Sequence, residues 1–242
     1  PEGWQQVLEN YRQQAFDRPA GIGGILISAE INDLLSTVMP ERMVGCADLE
    51  APTSHKRGLQ AFTASDRHGA YVHCGVREHL MGAMANGMAA HGGIVPLSVT
   101  YLAFSDYERP AMRMAALMGL PVKFVFSHDS IGIGKNGPTH QPVEHVAALR
   151  VIPNLAVYRP CDAVETAECW QLALKDETRP SVLALTRAYS AHGTGSASLC
   201  AEVHVAASPH VLRRPHPDVP AAASCRCGPA SISSNSTTRP WT

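Results

Sequence analysis

Charge is scarce in this chain. Its 242 residues hold 20 Lys and Arg against 21 Asp and Glu, a net charge of -1. Charged residues make up 17%, where about 25% is usual for a soluble domain. No basic run occurs, which excludes nucleic-acid binding through a basic patch as the expected function. No run of 18 apolar residues exists either, so no membrane span is expected. The seven cysteines are odd in number and scattered, without paired CxxC units. A reduced, cytoplasmic setting without a disulfide framework is therefore expected. An initiator Met is missing, and Pro1–Phe16 lacks the basic and apolar regions of a signal peptide. The missing Met points to a fragment or a processed product. Apolar residues, at 45%, suffice for a sizeable core. Length alone allows one or two domains.

Periodicity organises what is present. Trp4, Val7, Leu8, Tyr11 and Ala15 recur at helical spacing, so 3–16 reads as an amphipathic helix. A Gly/Pro connector from Arg18 to Gly24 follows, then a helix over Ala29–Val38 stopped at Pro40. Beyond it, strands and helices alternate. Strands are expected at Met43–Cys46, Ala70–Cys74, Ile94–Val99, Val122–Ser127, Leu155–Tyr158 and Val182–Thr186. Helices are expected at Glu78–Ala90, Leu102–Met118, Val143–Arg150 and Ala163–Lys175. This alternation predicts an α/β fold, a parallel sheet with helices on both faces. Ligands of such sheets sit beyond the carboxyl ends of the strands. After about Ala188 the pattern stops. Residues 188–242 contain no Lys, and Pro209, Pro215, Pro217, Pro220, Pro229 and Pro240 break every candidate element. This segment reads as a low-complexity or disordered tail. A reading-frame error would account for the abrupt change, and resequencing codons 186–195 tests it. The expected division is a helix and linker over 1–22, a domain over 23–187 and the tail over 188–242.

Three clusters could carry chemistry. His128 to Pro142 follows an apolar strand and mixes two His, Asp129, Lys135, Asn136 and several Gly and Pro. Long ordered loops of this kind are often functional, and a surface loop with solvated histidines fits the composition equally. No Cys lies near His128 or His140 and no HxxxH unit occurs, so no metal site is expected in this chain. In Gly75-Val76-Arg77-Glu78-His79 a carboxylate opens a helix. The ordinary role of such a Glu is as a partner of the helix dipole. The helix behind it carries Gly82, Ala83, Ala85, Asn86, Gly87, Ala89 and Ala90. That stripe admits a second subunit or tight packing within one domain. Tyr101, Phe104 and Tyr107 are spaced by three at the start of a helix, where core packing is the commoner role. Asp48 and Arg187 each end a strand.

Taken together, these segments resemble the transketolase family of thiamine-diphosphate enzymes. The matching text includes Gly45-Cys46-Ala47-Asp48-Leu49, Tyr71 through Gly93, the aromatic helix and His128 through Pro142. It continues through Pro153-Asn154-Leu155, Arg159-Pro160-Cys161-Asp162 and Ala184-Leu185-Thr186-Arg187, so the resemblance covers about residues 1–187. It implies the pyrimidine-binding middle domain. In this family the cofactor lies at a dimer interface, between this domain and the diphosphate-binding domain of the other subunit. Glu78 matches the glutamate that hydrogen-bonds the aminopyrimidine and promotes its imino tautomer. Phe104 matches the stacking aromatic, with Tyr101 and Tyr107 in the same pocket. Asp48 matches an acid near the cofactor or donor. His128 and His140 match substrate-pocket histidines that assist proton transfer, and Arg187 matches a phosphate-binding arginine. The implied reaction moves a two-carbon ketol unit from a ketose phosphate to an aldose phosphate, in the pentose phosphate pathway or the Calvin cycle.

Departures accompany the match. The family's TRKAS-like run reads Gly24-Ile25-Leu26-Ile27-Ser28, which removes a phosphate-binding arginine. Its TGSN-like segment reads Glu50-Ala51-Pro52-Thr53. Asn136 replaces an acid that recognises a donor hydroxyl, so an acceptor becomes an amide. No glycine-aspartate motif with a downstream asparagine occurs, so the magnesium ligands are expected in a diphosphate-binding domain. Three readings follow: a transketolase fragment inactive alone, the C-terminal subunit of a split thiamine enzyme, or a non-catalytic dimerisation module.

Overall fold

The computed structural model describes residues 3–16, 22–133, 136–187 and the pair 204–205. Helix α1 (Trp4–Ala15) buries the stripe of Trp4, Leu8, Tyr11 and Ala15. Helix α2 spans Gly24–Ser36, so it begins inside the expected connector and ends short of Val38. Its start is fixed from outside the helix. Ile25 N donates to Thr186 O at 3.1 Å, and a Cβ at Gly24 would meet Thr186 N at 3.4 Å. Ile25 and Ile27 are fully buried there.

Next come β1 (Arg42–Cys46), the short helix α3 (Glu50–Thr53), β2 (Tyr71–His73), α4 (Glu78–His91) and β3 (Val95–Tyr101). Helix α5 (Ser105–Met118) follows a 3-10 turn at Leu102–Phe104, which the sequence merges into one helix. Then come β4 (Lys123–Ser127), α6 (His145–Arg150), β5 (Ala156–Tyr158), α7 (Ala163–Lys175) and β6 (Ser181–Leu185). Asp162 caps α7 by accepting from Glu165 N at 2.8 Å, an N-cap contact worth about 1 kcal/mol.

One sheet runs β2-β1-β3-β4-β6-β5-β7, with β1 to β6 parallel. Strand β7 (His204–Val205) pairs antiparallel with β5. It corrects the expectation that proline breaks every element after 188. No Pro lies between Pro180 and Pro209, so a ladder can form in that stretch. The remainder of the expected tail lies outside the described residues.

Helices cover both faces, as expected. Val125, Leu183 and Leu185 turn to the face covered by α1, α2 and α7. Phe124, Phe126, Val182 and Ala184 turn to the other face, under α4, α5 and α6. Period-two alternation thus buries both sides of the central strands, which is why they read as continuous apolar runs. Strand order reverses between β1 and β3, and the crevice for ligands in such sheets lies at that point.

Candidate functional site

Four strand ends surround the crevice. Tyr101 closes β3, and His128 follows β4. Asp48 follows β1 and Arg187 follows β6. Asp48 and His128 both adopt left-handed backbone, with φ of 62° and 59°. Such conformations cluster at ligand sites because the surrounding fold must hold them.

Aromatic rings join these ends. Tyr101 stacks on Phe104 with centroids 5.6 Å apart at 13°. His128 lies 3.7 Å from Tyr101, and His140 lies 5.8 Å from it. Phe104 also meets His140 at 5.0 Å and Tyr107 at 6.1 Å. Five residues from three segments thus form one ladder. Tyr101 is buried, Phe104 half-buried, and Tyr107 65% exposed. The row of rings thus grades from core to solvent. A cavity of about 500 Å³ opens beside it, lined by Phe104, Asp106, Tyr107, Thr139, Gln141 and His145 among others.

His128 is buried, and Ser127 Oγ lies 2.9 Å from its Nδ1. Burial first, then the charge of Arg187 and the nearby His140, lower its pKa to about 4. The imidazole is therefore neutral at ordinary pH. Arg187 itself is exposed. Its charge lowers the pKa of His128 and opposes the burial-driven rise at Tyr101. Two residues missed by the sequence reading hold this loop. Arg159 Nε pairs with buried Asp129 Oδ2 at 2.9 Å, and Gln141 Nε2 donates to Ile131 O at 3.1 Å. Arg159 stands just past β5, and that position was the signal available.

Glu78 opens α4 and is 5% exposed. Its carboxyl makes no hydrogen bond among the described residues. Neither of its oxygens is buried without a partner, so the carboxyl reaches solvent. Asp48 and Asn136 are exposed and make no contact with the ring ladder among the described residues. Asp106, Glu144 and His145 bring ligand atoms within 4.8 Å of one another, with both carboxylates exposed. Asp106 already pairs with Arg109 and His145, each at 3.2 Å.

The stripe of small residues on α4 divides. Gly82, Ala85 and Asn86 are buried against α5, and a Cβ at Gly82 would lie 2.9 Å from Ala111 Cβ. Ala83, Gly87 and Ala90 are exposed, and a Cβ at Gly87 would meet nothing. The first set is packing within the domain, and the second leaves a face open to close approach.

A family model described as the pyrimidine binding domain of transketolase matches residues 26–191. The chain belongs to the transketolase family. A transketolase of Sinorhizobium medicae is 59% identical over 128 residues, 53% of this chain and 18% of that protein. Transketolase 1 of Vibrio cholerae is 42% identical over 205 residues, 84% of this chain and 31% of that protein. The solved transketolase of Leishmania mexicana superposes with a TM-score of 0.74 at 40% identity. That match covers 81% of this chain and 29% of the solved one. The chain thus spans less than a third of each relative's length.

Two departures from the transketolase pattern have structural uses here. Gly24–Ser28 forms the buried first turns of α2, docked on Thr186. Glu50 opens α3 and pairs with Lys56 at 3.1 Å.

Proposed function

We propose that this transketolase domain binds the aminopyrimidine of thiamine diphosphate between Glu78 and the rings of Tyr101, Phe104 and Tyr107. The observation that carries the reading is the ladder joining those rings to His128 and His140. It brings three aromatic rings and two histidines together, which supports reading them as cofactor platform and substrate pocket. The residues present fit the group: a carboxyl free of hydrogen bonds among the described residues for a ring nitrogen, and the half-buried Phe104 and exposed Tyr107 rings for the pyrimidine. Bound thiamine diphosphate supplies a nucleophilic carbon and an electron sink for cleavage of a C–C bond.

The chain's own residues then have distinct tasks. Glu78 shares a proton with the pyrimidine nitrogen and thereby fixes the ring's tautomer. Neutral His128 donates to or accepts from a sugar hydroxyl, and His140 meets the same substrate from the other side of the ladder. Arg187 holds the sugar phosphate with its guanidinium fork. Asn136 and Asp48 approach donor and cofactor once these are bound. The reaction is transfer of a two-carbon ketol unit from a ketose phosphate to an aldose phosphate.

Magnesium and the diphosphate are held by a diphosphate-binding domain, in the same polypeptide, a second copy or a partner chain. The open face of α4 at Ala83, Gly87 and Ala90 supports close approach of such a domain. Among the described residues, Cys46, Cys74, Cys161 and Cys169 are free thiols, which suits the cytoplasm. No described helix is long and apolar enough to cross a membrane.

The test is ketol transfer from xylulose 5-phosphate to ribose 5-phosphate, with thiamine diphosphate and magnesium. The 242-residue chain alone is expected to give no turnover above a Glu78→Gln control. A diphosphate-binding domain supplied in trans is expected to restore turnover that Glu78→Gln abolishes. Turnover by the chain alone, or equal turnover with Glu78→Gln in the mixture, contradicts the reading.

A further inference from the structure

A second carboxyl lies behind Glu78. Glu108 sits on α5 next to exposed Asp106 and Tyr107, yet it is 0% exposed. Ser98 Oγ of β3 donates to its Oε1. Its Oε2 is buried without a hydrogen-bond partner. The side chain lies along the backbone of α4. A Cβ at Gly82 would come within 2.7 Å of Glu108 Oε1 and 2.9 Å of its Cγ. Only glycine leaves that space. Gly82 stands four residues after Glu78, so both share one face of α4.

Two carboxyls near enough to feel each other's charge cannot both ionise cheaply. Burial first, then the charge of Glu78, raise the Glu108 pKa to about 8, and the Ser98 hydrogen bond opposes them. The other titratable group that feels its charge is Cys74, just past β2. Its thiol is pushed up to about 11, chiefly by burial and partly by Glu108. Arg77 donates to Cys74 O at 3.0 Å and faces out. A neutral Glu108 carries an O–H, and Oε2 is the atom free to bear it.

We propose that Glu108 is a positioning residue for Glu78: it holds a proton, so no negative charge stands behind Glu78 at the crevice. The role rests on the reading of Glu78 as the cofactor's carboxyl, but the bound proton can be tested without cofactor. Above about pH 8 Glu108 releases its proton to solvent, and a second negative charge appears behind Glu78. Any binding that needs one carboxylate then acquires an alkaline limb.

The experiment is a pH titration of the chain with isotope-labelled glutamate carboxyls, read by NMR or infrared spectroscopy. One carboxyl should keep its proton to about pH 8. Glu78→Gln should lower that midpoint by about one pH unit, because a like charge is removed. A Glu108 that merely packs would not respond to Glu78→Gln. Ser98→Ala should raise the midpoint, and this identifies the signal even if Glu108→Gln, which should erase it, fails to fold. Absence of any such carboxyl, or a midpoint unmoved by Glu78→Gln, overturns the proposal. Thiamine diphosphate binding, measured separately, reports on the cofactor reading alone.

Discussion

Two buried polar clusters lie on opposite faces of the sheet, and they differ in how fully they are paired. On the face of α1, α2 and α7, Ser28 Oγ meets both His55 Nε2 and Trp170 Nε1 at 3.0 Å. His55 Nδ1 lies 2.7 Å from Thr53 O, and Asn32 Nδ2 donates to His55 O at 3.1 Å. Arg42 then donates to Asn32 O at 2.9 Å, and among these groups only its Nε is buried without a partner. Both nitrogens of His55 are used. On the face of α4 and α5, Asn86 Oδ1, Ser105 Oγ and Glu108 Oε2 are each buried without a hydrogen-bond partner. Paired polar groups specify a rigid core. Unpaired ones cost stability and persist where a ligand or a proton completes them. The first cluster is nearly complete in its pairing, and the second leaves several polar atoms unpaired beside the candidate site.

Substitutions should separate the two. Trp170→Ala, in the paired cluster, should cost about 3–5 kcal/mol in chemical denaturation, since it empties a fully buried site. The two clusters should also fail at opposite ends of the pH scale, each by on the order of 3 kcal/mol. His55 has a pKa lowered by burial to about 4. The unfolded chain takes up that proton near 6.5, so its contribution is complete above that pH and lost as pH falls through about 4. Glu108 is raised from 4.5 to about 8. Its contribution is complete below 4.5 and lost as pH rises through about 8. Denaturation midpoints followed across pH should show both arms, and Glu108→Gln should flatten only the alkaline one. Glu78→Gln should lower cofactor affinity at least tenfold, about 1.4 kcal/mol, while stability shifts by less than about 1 kcal/mol. The smallest effect belongs to Tyr107→Ala. With the ring 65% exposed, stability should change by under about 0.5 kcal/mol, with only modest loss of cofactor affinity by titration.

The same contrast decides what could be read from the sequence. Period-two and period-3.6 patterns exposed nearly every element, because each buried face is apolar. The start of α2 was hidden, since a glycine run docked on Thr186 looks like a connector until the contact is seen. The 3-10 turn at Leu102–Phe104 was hidden as well, because its spacing of three also fits a helix. At the site, Tyr101, Phe104, His128 and His140 were legible as types in a pattern. Their union in one ladder required the crossing of three segments. Asp129 and Arg159 lie 30 positions apart, and Glu108 looked like one more charge on an exposed helix. Local sequence shows which face is apolar. It does not show that Gly82 clears a space for a buried carboxyl.

Binding at Glu78 is the most direct measurement. Thiamine diphosphate and magnesium would be titrated calorimetrically into the chain mixed with a diphosphate-binding domain, at neutral pH. The wild-type mixture should bind, and the Glu78→Gln mixture should bind at least tenfold more weakly while remaining folded. Equal affinity in a folded Glu78→Gln mixture would contradict the assignment of this crevice as the pyrimidine site.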